Sequence, residues 1–348
     1  MRQKASSPEL EMPEFPYGSV WLAGARDGNP RHLSPLAVHA LRSADAVIHD
    51  LAVPRKLSDL VKPSHYREAG SPYWAIGSRP GTTESSFSWA TRLLPAARRN
   101  AAYAVYAFYR EVDGIADGGA SPSLMQILFM NWRSEISRLY SGLPRRPVTL
   151  GLRKAIQEYG LRCRDFLAII DGAEMKARTD IRAPNFAQLH RYCECSAVAF
   201  SRLQLRIFGD ETPAGERVAE EMGRALQFTN ILRDLAEDAK RYRLFLPCEL
   251  LQAHGIFATM PSWVLAQPAL PDVCRDFALR AEGHYAAATE AIALCPRSTM
   301  RPVAVMLGIH RALFDALMAR GWRKLDQPVE IPLVRELARA FRHGLTGR

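Results

Sequence analysis

Between residues 221 and 247 the chain reads EMGRALQFTNILRDLAEDAKRYRLFLP, and its polar residues Gln227, Asn230, Asp234 and Asp238 stand at offsets of three, seven and eleven from the first. At 3.6 residues per helical turn these offsets put all four on one narrow stripe. Ala225, Leu226, Ile231 and Leu235 are apolar positions of the same helix, so the carboxylates lie next to residues that face a core. Such a stripe suits a hard divalent cation, and Mg²⁺ in particular takes one or two carboxylates alongside water and phosphate oxygens. A single Asp-x-x-x-Asp pair is, taken alone, more often a solvated helix face.

A second stretch repeats the pattern. From residue 101 the chain reads AAYAVYAFYREVDGIAD, with Tyr106, Arg110, Asp113 and Asp117 at offsets of four, seven and eleven, again on one face of a helix. If the two helices face each other across a cavity, Asp113, Asp117, Asp234 and Asp238 repel one another unless cations sit between them. A site for several Mg²⁺ ions and a diphosphate relieves that repulsion. Arg110 and Arg233, one beside each pair, present planar forks that match phosphate oxygens.

Charge narrows the partners. The net charge of +10 and pI near 9.5 favour polyanions, meaning nucleic acid, anionic lipid or a phosphorylated substrate. The arginines are scattered along helices and no nucleic-acid-reading signature is present, so nucleic acid is not expected as a partner. The cysteines show neither C-x-x-C nor zinc-ligand spacing and read as reduced core thiols. No apolar targeting segment opens the chain, and no uninterrupted run of roughly 18 apolar residues follows. A cytoplasmic protein is expected, with peripheral contact to an anionic membrane left open by the basic surface.

Taken in order, the chain changes character once. Residues 18–23 (GSVWLA) suit a strand, 24–30 (GARDGNP) a turn-rich loop, 34–44 a helix with Ser34 as cap and Pro35 in its first turn, and 46–50 (AVIHD) a second strand. Residues 66–84 are rich in Gly, Pro, Ser and Thr, as a linker is. From residue 85 helical periodicity runs almost to the end, with helices expected at 94–117, 124–140, 165–175, 185–208, 216–240, 274–293, 301–320 and 329–342. The fold class expected is therefore all-α, a helical bundle around a central cavity, preceded by a short β-α-β fragment. The domain division is 1–80 and 81–348.

The first segment resembles the start of a tetrapyrrole methylase domain, such as uroporphyrinogen-III methyltransferase or sirohaem synthase, where a strand leads into a Gly-rich loop. That likeness ends near residue 76 and Arg26 and Asp27 replace a small Gly-Pro pair, which implies a truncated, inactive piece in front of the main domain. In the main domain, SSFSWATRLLPAARRNAAYAVYAFYREVDGIAD and ALQFTNILRDLAEDAKRYRLFLP resemble the two signatures of the squalene and phytoene synthase family. DFLAIIDGAEM (165–175), DIRAP (180–184), LHRYCE (189–194) and LRIFGD (205–210) are similar to its bacterial presqualene diphosphate synthase branch, which serves hopanoid synthesis.

The resemblance implies an isoprenoid synthase-type bundle and a prenyltransferase joining two molecules of farnesyl diphosphate head to head. It implies Mg²⁺ held by Asp113 and Asp117 on one side and by Asn230, Asp234 and Asp238 on the other. Ser86, Phe87, Tyr106, Arg110, Gln227, Asn230 and Arg233 would contact substrate, and Tyr192 would lie close to the reacting carbons. NADPH is not expected, since a G-x-G-x-x-G fingerprint is missing. Partner enzymes of hopanoid synthesis follow from the same likeness.

Several positions depart from the family pattern. Gly114 replaces a second Asp of the first motif. Ala173 and Lys176 stand where the branch shows Met and Asp, so a cation takes the place of an expected anion. Ser196, Phe200 and Ser201 replace small residues against the cavity, Tyr242 replaces a glycine, and His310 stands where Tyr is common. Phytoene or squalene synthesis, and a non-catalytic relative kept as a binding module, are the alternatives. Four carboxylates facing one cavity are costly to keep without a charge-bearing task, which argues against the module.

Overall fold

The computed structural model describes residues 35–43, 87, 90–178, 181–327 and 329. The expected strands at 18–23 and 46–50, the linker at 66–84 and most of the helix expected at 329–342 lie outside these residues, whereas the helix between the two strands is observed as α1 (Pro35–Ser43). The remaining elements are α2 (Ala96–Asp117), α3 (Pro122–Tyr140), α4 (Pro147–Tyr159), α5 (Cys163–Arg178), α6 (Phe186–Cys193), a π-helical turn (Glu194–Val198), α7 (Ala199–Phe208), α8 (Pro213–Lys240), α9 (Cys248–Ala253), α10 (Pro261–Leu265), α11 (Leu270–Ala293) and α12 (Arg297–Arg320). No strand is found among the described residues; an isolated parallel bridge joins Arg182 and Leu244.

Local chemistry sets most of the helix starts. Ser121 caps α3, accepting from Leu124 N at 3.3 Å, Thr212 caps α8, accepting from Gly215 N at 3.1 Å, and each helix has proline in its first turn. Asn185 and Gln188 form a reciprocal capping box on α6. The start of α4 has no cap in its own sequence. The chain that leads into it is held by Glu135, a buried carboxylate on α3, which accepts from the two amides just before the helix, Arg145 N (2.7 Å) and Arg146 N (2.9 Å), and from Thr149 Oγ1 in its first turn (2.5 Å). Arg138 Nε adds a fourth bond at 3.0 Å. Burial would push this carboxyl up, but the four donors outweigh it and hold the pKa at about 2.

Glu135→Ala is expected to cost about 3 kcal/mol, because it orphans the buried Thr149 hydroxyl and the two part-buried amides that lead into the helix. Since the folded pKa is depressed, that stabilisation is complete above the ordinary value of 4.5 and fades as pH falls towards about 2. Urea melts of parent and variant should thus differ most near neutrality and converge in acid. A gap that persists unchanged at pH 2 would show that lost packing, not the charge, carries the effect.

The core forms around α8, whose face Val218, Met222, Ala225, Phe228 and Leu232 is buried. It packs chiefly on α11, where Phe228 stacks on Phe277 (4.5 Å between centroids) and Thr229 Oγ1 lies 3.0 Å from the Tyr285 hydroxyl. A second centre, Phe108 of α2, Trp132 of α3 and Phe166 of α5, meets edge to face at 5.1 to 5.3 Å. Helix α12 is long and apolar enough to cross a membrane by composition, yet Val303, Ile309, Leu313 and Leu317 are buried within the bundle. We read it as a core helix.

The long helix expected at 185–208 is interrupted. The Ser196 hydroxyl bonds to the Tyr192 carbonyl at 2.8 Å, and the backbone there widens into the π-helical turn. Two glycines let neighbouring helices approach this turn. A Cβ on Gly172 of α5 would meet the Cys195 carbonyl carbon at 3.0 Å, and one on Gly223 of α8 would meet the Val198 Cα at 2.8 Å. The second contact is the tighter, and because a Cβ there meets backbone atoms it cannot be relieved by a rotamer change, so Gly223→Ala should lower stability by roughly 1–3 kcal/mol. Thermal melts test this; an unchanged melting temperature would mean that α8 slides freely on the turn.

Helices α4, α9 and α10 have no counterpart in the sequence-based expectation, and α11 starts at Leu270 rather than after Pro271. Proline in the first turn continues into a helix because its missing N–H is not needed there.

Candidate active site

Helix α2 carries Tyr106, Arg110, Asp113 and Asp117, and α8 carries Gln227, Asn230, Asp234 and Asp238. The two helices are not packed neighbours: α5 lies against α2, the π turn lies against α8, and α5 and the turn pack together between them. The stripes nevertheless share one electrostatic field, since the Asp117 and Asp234 carboxylates both act on Asp238.

The first pair already holds cations. Lys176 Nζ, from the last turns of α5, lies 3.0 Å from Asp113 Oδ1 and 2.7 Å from Asp117 Oδ2. Arg243 donates to Asp117 Oδ1 at 2.6 Å and to the Ala116 carbonyl at 2.7 Å, and Arg241 stands 3.3 Å from the same Oδ1. The two arginines converge because Tyr242 between them takes a left-handed conformation, φ 59°, which folds the chain back after α8. That is the backbone a glycine would adopt most cheaply. Burial alone would push Asp117 up, but Lys176 and Arg243 hold its carboxyl below the usual range. Burial likewise opposes the charge on Lys176, and Asp113 and Asp117 overcome it, keeping the amine well above its ordinary value. The carboxylates expected to hold metal on α2 are thus occupied by side chains.

The second pair is less well satisfied. Arg233 folds onto Asp234 in a bidentate bridge, Nε–Oδ1 2.8 Å and Nη2–Oδ2 2.6 Å. Asp238 is pushed up to about 7, first by burial and then by Asp234, with Lys176 and Arg243 compensating only in part. Two turns earlier on the same stripe, with Asp234 between them, Asn230 Oδ1 is buried without a hydrogen-bond partner. An under-compensated carboxyl and an orphaned amide oxygen on one helix face fit binding of hard cations. Among the described residues no three His, Cys, Asp or Glu side chains form a ready-made metal cluster, so ligand oxygens have to complete any such site.

Tyr192 is buried and stacks on Phe245 at 5.0 Å. Burial raises its pKa well above the ordinary value and outweighs the pull of Lys176, so the phenol keeps its proton. Beside it, Tyr109, Asp113, Ile169, Gly172, Ala173, Tyr192 and Ser196 line a space of about 220 Å³, part of it open to solvent. The expected central cavity is narrowed by an aromatic cluster: Phe200 lies 4.9 Å from Tyr109 and 6.5 Å from Tyr106, and Phe87 stacks on Tyr106 at 4.8 Å. His310 of α12 is buried, its Nδ1 3.0 Å from the Met306 carbonyl, and burial lowers its pKa to about 4; it is a neutral core residue.

Among the expected site residues, Asp113, Asp117, Asp238 and Tyr192 are brought into one electrostatic neighbourhood with Lys176. Gln227 and Arg110 are half-buried on their helices. Ser86 lies outside the described residues. Arg241, Arg243 and Tyr109 were not anticipated; the RYR triplet that ends the second motif was the available signal for the arginines.

The squalene/phytoene synthase family profile matches residues 81–335. Presqualene diphosphate synthase of Rhodopseudomonas palustris is 41% identical over 254 residues, covering 73% of this chain and 91% of that protein. The Sinorhizobium fredii enzyme of the same name is 38% identical over 261 residues, covering 75% and 93%. Phytoene synthase of Mycobacterium tuberculosis is 33% identical over 234 residues, covering 66% and 76%. A dehydrosqualene synthase crystal structure superposes with a TM-score of 0.66 at 25% identity, over 76% of this chain and 93% of that one.

Proposed function

Because this chain belongs to the squalene/phytoene synthase family, we propose that it condenses two molecules of farnesyl diphosphate head to head into presqualene diphosphate, releasing diphosphate. It is an enzyme of the prenyltransferase type. The observation that carries the finer reading is the meeting of the α2 and α8 stripes around Lys176 beside the buried Tyr192, in a chain more similar to presqualene diphosphate synthases than to phytoene synthase.

The C1–O bond of one farnesyl diphosphate breaks and the diphosphate leaves with the electron pair. Positive groups aimed at the departing oxygens lower this barrier because the charge develops in the transition state. Lys176, Arg243 and Arg241, anchored by Asp113 and Asp117, supply fixed positive charge. Mg²⁺, held by Asn230, Asp234 and Asp238, would supply further charge to the same diphosphate. The allylic cation left behind is attacked by the C2=C3 bond of the second molecule, and loss of a proton from C1 of the first closes a cyclopropane onto C3.

Tyr192 remains a neutral phenol, so it orients and donates a hydrogen bond but does not take this proton; the departed diphosphate does. The aromatic cluster keeps water, which would quench the cation, out of the site. Phe200 and Tyr109 have to swing aside for the prenyl chains, given the narrow space between them.

The test is incubation of the purified full chain with Mg²⁺ and farnesyl or geranylgeranyl diphosphate, with and without NADPH. Presqualene diphosphate from the C15 substrate, unchanged by NADPH, is the expected product. Squalene formed with NADPH, or a C40 product from the C20 substrate, selects the corresponding alternative. Absence of any product favours the binding module. Residues 1–80 form a separate segment in this reading, dispensable for the reaction.

A further inference from the structure

On the α2 side of the site, a side-chain ammonium sits where two carboxylates converge. Lys176 Nζ bridges Asp113 and Asp117 at 3.0 and 2.7 Å, and its side chain is only 13% exposed. Arg243 neutralises Asp117 from the other side at 2.6 Å, and Arg241 adds a third positive charge at 3.3 Å. Two carboxylates are therefore matched by at least two cations within bonding distance. On α8, Asp234 and Asp238 have one closely bound cation among the described residues, Arg233, and the Asn230 Oδ1 acceptor is unfilled.

We infer that Lys176 is a built-in counter-cation that replaces metal at Asp113 and Asp117, so that this protein loads divalent cations through the α8 stripe alone. The inference deepens the proposed function by stating how that site is charged. Three observations support it. A divalent ion approaching the α2 pair meets three positive side chains whose repulsion is poorly screened at this depth. Displacing Lys176 would strand a buried ammonium, because among the described residues no carboxylate other than Asp113 and Asp117 lies within bonding distance of it. The α8 stripe, in contrast, has positive charge still to gain: its close ion pair is Arg233 on Asp234, Asp238 has no cation in salt-bridge contact among the described residues, and Asn230 Oδ1 is unfilled.

The difference between the two stripes can be read without turnover. Mn²⁺ alone, and Mn²⁺ with inorganic pyrophosphate, are titrated into the full chain and the bound ions counted by electron paramagnetic resonance and calorimetry. Asp234→Asn should weaken Mn²⁺ binding at least about tenfold, whereas Asp113→Asn should change it less than about twofold. In Lys176→Met an additional Mn²⁺ site is expected, one that disappears when Asp113→Asn is added.

Equal loss of Mn²⁺ affinity in Asp113→Asn and Asp234→Asn would overturn the inference, as would a Lys176→Met protein with the parent's stoichiometry. The comparison of the two Asn variants needs no Lys176 substitution, so it decides the matter even if Lys176→Met fails to fold. A protein that binds Mn²⁺ as described yet forms no prenyl product sinks the proposed function and leaves this inference standing.

Discussion

Asp238→Asn should lower turnover of farnesyl diphosphate by roughly 100- to 1,000-fold, the usual penalty for removing one group that stabilises developing charge. The substitution keeps the shape of the side chain and removes only its ability to become an anion. Asp238 is pushed up to about 7 by burial and by its neighbour Asp234, so its charged form is disfavoured and an arriving cation would favour it. The amide cannot respond in that way, and bound metal is held less well. Stability should move in the opposite direction. A carboxyl with a raised folded pKa costs stability increasingly as pH rises above its ordinary value of 3.8, and the amide avoids this cost. Steady-state kinetics with thermal melts at neutral pH check both parts. Near-parental turnover in soluble Asp238→Asn would remove this residue from the reaction; a sharp fall in melting temperature would assign it a structural role instead.

Asp117→Ala should be the most destabilising of the single changes at the site, at about 3–5 kcal/mol, because it strands cations that are already desolvated. Its carboxylate accepts from Lys176 and Arg243 and faces Arg241, and Asp113, itself partly exposed, is then the one carboxylate among the described residues still bonded to Lys176. For a domain of this size the loss corresponds to a fall in melting temperature on the order of 10 °C. Adding Lys176→Met should restore part of it, since the second change removes one of the stranded charges. The two effects are coupled and a double-mutant cycle isolates the term. The folded pKa of Asp117 is depressed, so its contribution is complete above the ordinary 3.8 and lost as pH falls through the folded value. Additive losses in the cycle would show that Asp117 and Lys176 do not act as a pair.

Both stripes were legible in the sequence because helical periodicity is a local property. Once Asp113 and Asp117, or Asp234 and Asp238, lie on a helix, a spacing of four puts them on one face whatever the rest of the chain does. The caps Ser121, Asn185 and Thr212, which the reading of helical periodicity did not include, are equally local, since each bonds to an amide three residues on.

What depended on tertiary structure is the balance of charge. Lys176 was visible as an unusual residue, but spacing along α5 could not show whether its ammonium points to water or to α2, more than fifty residues earlier in sequence. That depends on how α5 packs on α2. The start of α4 is a parallel case: its cap, Glu135, comes from another helix, and a search for cap residues next to Pro147 has nothing to find. The width of the cavity is decided the same way, by Phe87, Tyr106, Tyr109 and Phe200 meeting from different elements. Sequence alone determined which residues share a helix face, because that follows from backbone geometry within a few turns. Only the tertiary structure decided which charges meet across the site, because electrostatic and packing energies depend on distance in space, and distant segments acquire that distance only on folding.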